Sequence, residues 1–156
     1  MKQLNNFIQE KLKIDKDIKI DKYNYHPKDR FELIEILKEK LEEDKNADLN
    51  DIDISKLFSL NFVFKGLDPY NIKIDEWNTS NIKHMQSVFM GCRHFDCDLS
   101  KWDVSNVEDM YGTFYGCRKF TGQGLENWKP KKCKNFIYIF EQCTSLKNKP
   151  SWYKNE

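Results

Sequence analysis

No stretch of this 156-residue chain approaches the ~20 consecutive apolar residues of a membrane-spanning helix. The opening Met-Lys-Gln-Leu-Asn-Asn-Phe-Ile-Gln-Glu lacks the apolar run and small-residue cleavage site of a secretory leader. With Met1 as the start, the expected location is the cytoplasm. An excess of one charge is missing too, since 26 Lys+Arg stand against 25 Asp+Glu. Nothing global therefore calls for nucleic acid or a membrane surface. Histidine is scarce and scattered at His26, His84 and His94. No Ser/His/Asp or Cys/His set recurs, so the chain reads as non-enzymatic and without a cofactor. Ala47 is the only alanine, whereas Lys, Asn and Ile are abundant, a usage that suggests an AT-rich genome.

What the chain has instead is repetition. Residues 77–127 laid over themselves at an offset of twenty-five align Trp77 with Trp102, Ile82 with Val107, Met85 with Met110 and Phe89 with Phe114. Gly91 then falls on Gly116, Cys92 on Cys117, Phe95 on Phe120 and, after a one-residue slip, Leu99 on Leu125. Downstream, Trp128, Cys133, Phe136, Phe140, Cys143 and Leu146 take these columns. Upstream, Ile52, Leu57, Leu60, Phe64, Leu67, Tyr70 and Ile74 do so. Four coils thus begin near Ile52, Trp77, Trp102 and Trp128, and Trp152 opens a stub. Each coil carries about eight apolar positions that it cannot bury alone, so stacking is required and about three repeats are the minimum. The expectation is a solenoid over residues 51–156 whose Trp, Met, Phe and Cys columns become buried ladders.

The phrase W-D-V-S-N-V-x-x-M-x-x-x-F-x-G-C, from Trp102 to Cys117, resembles the BspA-like leucine-rich-repeat family over roughly residues 50–152. The resemblance implies a leucine-rich-repeat-like α+β solenoid of about four 25-residue coils, one strand per coil, placed near Asp98–Trp102 and its equivalents. The last coil departs from the pattern: Lys129-Pro130-Lys131-Lys132 replaces D-V-S-N, and Gln142 stands where Gly is expected.

Residues 1–50 read as a helix–strand–helix N-terminal cap forming one compact unit with the repeats. Leu4, Phe7, Ile8 and Leu12 have helical spacing, and Ile18–Tyr25 alternates as a strand. Pro27, suited to a first helical position, introduces a second helix from about 28 to 43. A sharper alternative has the first helix docking on a partner through Phe7 and Ile8.

Cys92, Cys117 and Cys143 share one column and Cys133 joins another, so four of the five cysteines read as small buried apolar groups. An odd count does not suit a disulfide framework. Cys97, off the ladder, is the expected exposed thiol. Cys92-Arg-His94-Phe-Asp-Cys97 has ligand-like residues, but zinc needs four converging ligands and Cys92 belongs to the interior; no metal is expected. The Gly-x-Gly at 122–124 reads as a turn, since no strand-to-helix context surrounds it. The Asp103/Ser105/Asn106 column reads as turn-forming.

Just beyond the Met/Phe ladder stand Met90, Tyr111, Tyr115, Ile137 and Tyr138, flanked by Arg93 and Arg118. Rings at these positions either cover the core edge or form a contact strip, since Tyr and Arg are enriched at binding hot spots. The candidate protein-binding residues are Met90, Arg93, Tyr111, Tyr115, Arg118 and Tyr138. The expected function is a protein-binding repeat scaffold inside the cell, for instance a phage-encoded or host-interaction factor that inhibits a bacterial defence protein. Two other classes are an extracellular adhesive module without its export signal and a nucleic-acid binder. The second would use Lys129, Lys131, Lys132 and Lys134 and show steep salt dependence. An open edge on the last coil would recruit another chain, either a second copy in a homodimer through the C-terminal coil or the partner protein, which would protect that edge.

Overall fold

The computed structural model describes residues 21–154. The helix expected over residues 3–13, and Ile18–Ile20 of the expected strand, lie outside the described residues. Among the described residues of the cap there is one helix: α1, Arg30–Glu43. It starts two residues later than the sequence pattern suggests, because the Asp29 carboxylate accepts from the N–H groups of Phe31 and Glu32 and sets the N-cap. Pro27 therefore lies before the cap, not at the first helical position. Leu33, Leu37 and Leu41, four residues apart, form the buried stripe. After Glu43 the chain turns at Asp44, which has extended dihedrals.

The leucine-rich-repeat-like solenoid with one strand per coil and a helix–strand–helix cap is not what the chain forms. Among the described residues there is α1, one 3-10 turn at Leu125–Asn127 and no sheet. Residues 98–102 contain no strand. Pairing is confined to isolated parallel bridges such as Ser59 with His84, His84 with Asp109 and Asp109 with Asn135.

At the expected strand the Asp98 carboxylate accepts from the Ser100 N–H and the Leu99 carbonyl accepts from the Trp102 N–H, so residues 98–102 turn instead of extending. Elsewhere the tier backbone turns of itself. Left-handed dihedrals recur at Phe62, Ser87, Gly112 and Tyr138, and again at Gly66, Gly91, Gly116 and Gln142. A residue with φ near +60° cannot continue an extended strand. Instead the chain makes consecutive turns, such as Thr113 N–H to the Met110 carbonyl and Tyr115 N–H to the Gly112 carbonyl. Tiers of turns stack on one another at roughly the sequence period. We number them 1 to 4, over 52–76, 77–101, 102–127 and 128–151.

A one-directional rail joins successive tiers. Met85, Ser87, Phe89 and Gly91 donate to the carbonyls of Asp109, Tyr111, Thr113 and Tyr115, at 2.7–2.8 Å. Met110, Gly112, Phe114 and Gly116 donate likewise to Asn135, Ile137, Ile139 and Glu141. In tier 1, Leu60, Phe62 and Phe64 reach His84, Gln86 and Val88. Tier corners are fixed by Asx turns, as where Asp98 accepts from the Ser100 N–H and Asp103 from the Ser105 N–H. Asn106 crosses to the Ser80 carbonyl.

Inside the stack, like packs on like. Trp77, Trp102, Trp128 and Trp152 stack at centroid spacings of 6.1–6.5 Å. Each indole N–H finds a carbonyl 27–29 residues earlier in the chain: Leu49, Ile74, Leu99 and Leu125 respectively. Phe64, Phe89, Phe114 and Phe140 form a second stack at 5.1–5.8 Å. Tyr70, aligned with the Phe95 column, does not join it: it is exposed and packs on His94. The stub is also more than an abandoned turn. Trp152 ends the indole ladder, and Tyr153 packs against Phe136 and Phe140.

Candidate functional site

The tier architecture leaves one row of side chains just outside the ladders. Tyr111 follows Met110, and Tyr115 follows Phe114, so both leave the interior at the edge of tier 3. Left-handed Tyr138 carries its ring to the same place from tier 4. Tyr111 and Tyr138 meet edge to face at 5.7 Å, and Tyr115 meets Tyr138 in the same manner at 6.5 Å. The Gln142 side-chain amide donates to the Tyr115 hydroxyl at 2.9 Å, which holds the ring upright. With Met90 from tier 2, these rings line a groove of about 450 Å³, completed by Ser87, Gly112 and Glu141.

Four of the six sequence candidates, Met90, Tyr111, Tyr115 and Tyr138, therefore come together. Arg93 and Arg118 do not line the groove. Both are exposed, and they sit beyond the left-handed turns at Gly91 and Gly116. Their carbonyls serve the stack instead, accepting from Lys119 and from Ser145. Ser87, Gly112 and Glu141 were not singled out by sequence reasoning. Ser87 and Gly112 share the left-handed column with Tyr138, a link that becomes visible only once the backbone is known.

A second exposed aromatic pair also escaped the sequence reading. Phe31 at the start of α1 is 62% exposed and Phe58 in tier 1 is 63% exposed. They flank a smaller cleft with Lys28, Arg30 and Lys56. Phe31 is covered on one face by the Arg30 guanidinium, 4.2 Å from its centroid.

The thiols are committed to the interior. Cys92, Cys117 and Cys143 donate to the carbonyls of Phe64, Phe89 and Phe114 at 3.0–3.2 Å. Cys97, expected at the surface, is buried and donates to the Ile72 carbonyl at 3.1 Å. Burial pushes Cys92, Cys97 and Cys143 up to about 12 and raises Cys117 as well. A thiol held protonated is a poor nucleophile and a poor metal ligand. His94 does not turn toward either Cys92 or Cys97; its Nδ1 lies 2.8 Å from Asp68. Among the described residues, no three His, Cys, Asp or Glu side chains gather in a metal-holding group. None of the described helices is long and apolar enough to cross a membrane.

A family model described as "Mycoplasma protein of unknown function, DUF285" matches residues 33–153. No curated protein and no solved structure matches the chain.

Proposed function

The chain belongs to the DUF285 family, and from that premise we propose a non-enzymatic, protein-binding scaffold that works through its tyrosine groove. The observation that supports the reading most directly is the convergence of Met90, Tyr111, Tyr115 and Tyr138 from three tiers on one open apolar groove. Tyr rings carry large contact area at small entropic cost and dominate binding hot spots. A methionine beside them adapts to irregular partner side chains.

We place the protein inside the cell. Five free cysteines, four of them buried, suit a reducing compartment. The partner is a protein that inserts one or two apolar side chains between Met90 and the tyrosines.

Binding and folding separate cleanly in the test. Tyr115→Ala removes groove wall and the Gln142 contact yet leaves both ladders intact. It should weaken partner capture by about 2 kcal/mol with little change in melting temperature. Normal capture by Tyr111→Ala, Tyr115→Ala and Met90→Ser variants of unchanged stability would eliminate the groove as the site.

A further inference from the structure

The two faces of the stack are chemically unequal. Along the rail every bond runs the same way, N–H of one tier to carbonyl of the next, whereas corner bonds such as Glu108 N–H to the Lys83 carbonyl run the other way. The last tier therefore ends with its donors pointing outward. Phe136, Tyr138, Phe140 and Gln142 occupy the positions of Met110, Gly112, Phe114 and Gly116. Among the described residues, their N–H groups have no acceptor. Tyr138 and Gln142 keep the left-handed dihedrals of that column, φ 58° and 60°.

Three further features bear on this row. Ile137 is 58% exposed and Tyr138 is 54% exposed. A groove of about 390 Å³ is lined by Lys134, Phe136, Ile137, Trp152, Tyr153 and Lys154. Residues 101–156 carry ten basic and six acidic groups, a surplus of four positive charges, whereas residues 51–100 carry five basic and seven acidic. The described residues of the stub cover ring faces of Phe136 and Phe140 but accept nothing from the row of donors.

We propose that this C-terminal end is a docking edge for an acidic peptide segment of a partner protein that follows the turned path of a tier. Tier 4 itself offers the carbonyls of every second residue, Asn135, Ile137, Ile139 and Glu141, to the matching row of tier 3, and a peptide on the same path offers its own to Phe136, Tyr138, Phe140 and Gln142. Its apolar side chains enter beside Ile137, and its carboxylates face Lys134 and Lys154. A second copy of the chain is the poorer match. Two such ends meeting would set donors against donors and positive charge against positive charge. The opposite end is covered by α1, whose Arg30 guanidinium takes the Asn61 carbonyl at 3.1 Å. The site is separate from the wall of the tyrosine groove formed by tiers 2 and 3.

The experiment uses the full chain and amide hydrogen exchange read residue by residue. The probe is a terminally blocked decapeptide of alternating glutamate and valine, with a lysine-for-glutamate counterpart as control. In the free protein the amides of Phe136, Tyr138, Phe140 and Gln142 should exchange faster than those of Met110, Gly112, Phe114 and Gly116. Saturating acidic peptide should slow all four at least about tenfold, and the lysine peptide should not. Lys134→Glu with Lys154→Glu should weaken peptide affinity about tenfold, and Tyr111→Ala should leave it unchanged. Binding abolished by Tyr111→Ala would transfer the peptide to the tyrosine groove and overturn the edge. Slow exchange of the four amides in a peptide-free monomer would mean the chain covers its own end. Their protection by dimerisation would install a second copy instead. Equal protection by both peptides would remove the charge argument. Each of these results overturns the proposal.

Discussion

Tier 3 and tier 4 carry the same ladders on different local sequences. Tier 3 has Gly112 and Gly116 where the backbone turns left-handed; tier 4 has Tyr138 and Gln142 at φ 58° and 60°. Tier 3 opens with Asp103-Val104-Ser105-Asn106, and tier 4 with Lys129-Pro130-Lys131-Lys132. Yet Trp128 and Phe140 stack on Trp102 and Phe114 as those do on their own predecessors. The tier conformation is thus imposed across the stack by rings and rail bonds. Local turn preference only lowers its cost, which for a non-glycine residue in this region is about 1–2 kcal/mol.

The widest separation between the two tiers should appear in thiol chemistry. Cys117 is fully buried and its thiol is raised by burial, whereas Cys133 is half-buried. An exposed-thiol reagent at pH 8 should label Cys133 first. Cys92, Cys97 and Cys117 should react orders of magnitude more slowly, on the timescale of unfolding. Prompt labelling of Cys117 in native protein would show that the sulfur ladder is open.

Ring truncation comes next. Phe114 is stacked on both sides, by Phe89 and Phe140. Phe114→Ala should cost about 3–5 kcal/mol in denaturant unfolding. Phe140 has a tier on one side and only Trp152 and Tyr153 on the other, so Phe140→Ala should cost less. Equal costs would mean the stub seals the end as well as a full tier does.

A smaller effect follows from the left-handed column. Gln142→Gly should stabilise by about 1 kcal/mol, and Gly116→Ala should destabilise by about 1–2 kcal/mol. A Cβ at Gly116 meets only ordinary contacts, so the dihedral alone sets the cost. A destabilised Gln142→Gly would show that the bond from Gln142 to Tyr115 outweighs the strain.

The smallest effect is acidic. Lys101 and Asn50 hold Asp75 below its usual value, and the Ser105 N–H does the same for Asp103. A depressed folded value means that this stability is complete above about pH 4. It is lost as pH falls through the lower folded values. Tier 4 has Lys129 in the Asp103 position and contributes nothing of this kind. Melting between pH 5 and pH 3 should therefore be less pH-sensitive in Asp103→Asn; an unaltered slope would discount the carboxylate.

Side-chain columns were legible because identical residues recur at a fixed distance, as in Trp77, Trp102 and Trp128. Backbone conformation was not, because Phe62, Ser87, Tyr138 and Gln142 adopt left-handed dihedrals that their side chains do not announce. Around Asp98–Trp102 the strand expectation failed for a different reason, the turns closed by the Asp98 carboxylate and the Leu99 carbonyl. Cys97 was misread because only its own repeat was weighed. Its equivalents, Ile72 and Gly122, include a buried isoleucine that marks the column as interior. For the groove, ladder-adjacent tyrosines were sufficient signal. Arg93 and Arg118 share that register in sequence, but the Gly91 and Gly116 turns carry them off the groove.

The step from Trp102 to Trp128 is one residue longer than the step from Trp77 to Trp102, yet the indoles stay nearly parallel, 4° apart. The surplus is taken up between Thr121 and Asn127, where Gly122 and Gly124 are left-handed and the 3-10 turn forms. That corner works as an expansion joint. Chain length can drift there by a residue without shifting the phase of anything downstream, whereas the same insertion between Met110 and Cys117 would throw four rail bonds out of step. Single-residue length variation should collect at this joint, and growth or loss elsewhere should come in whole tiers.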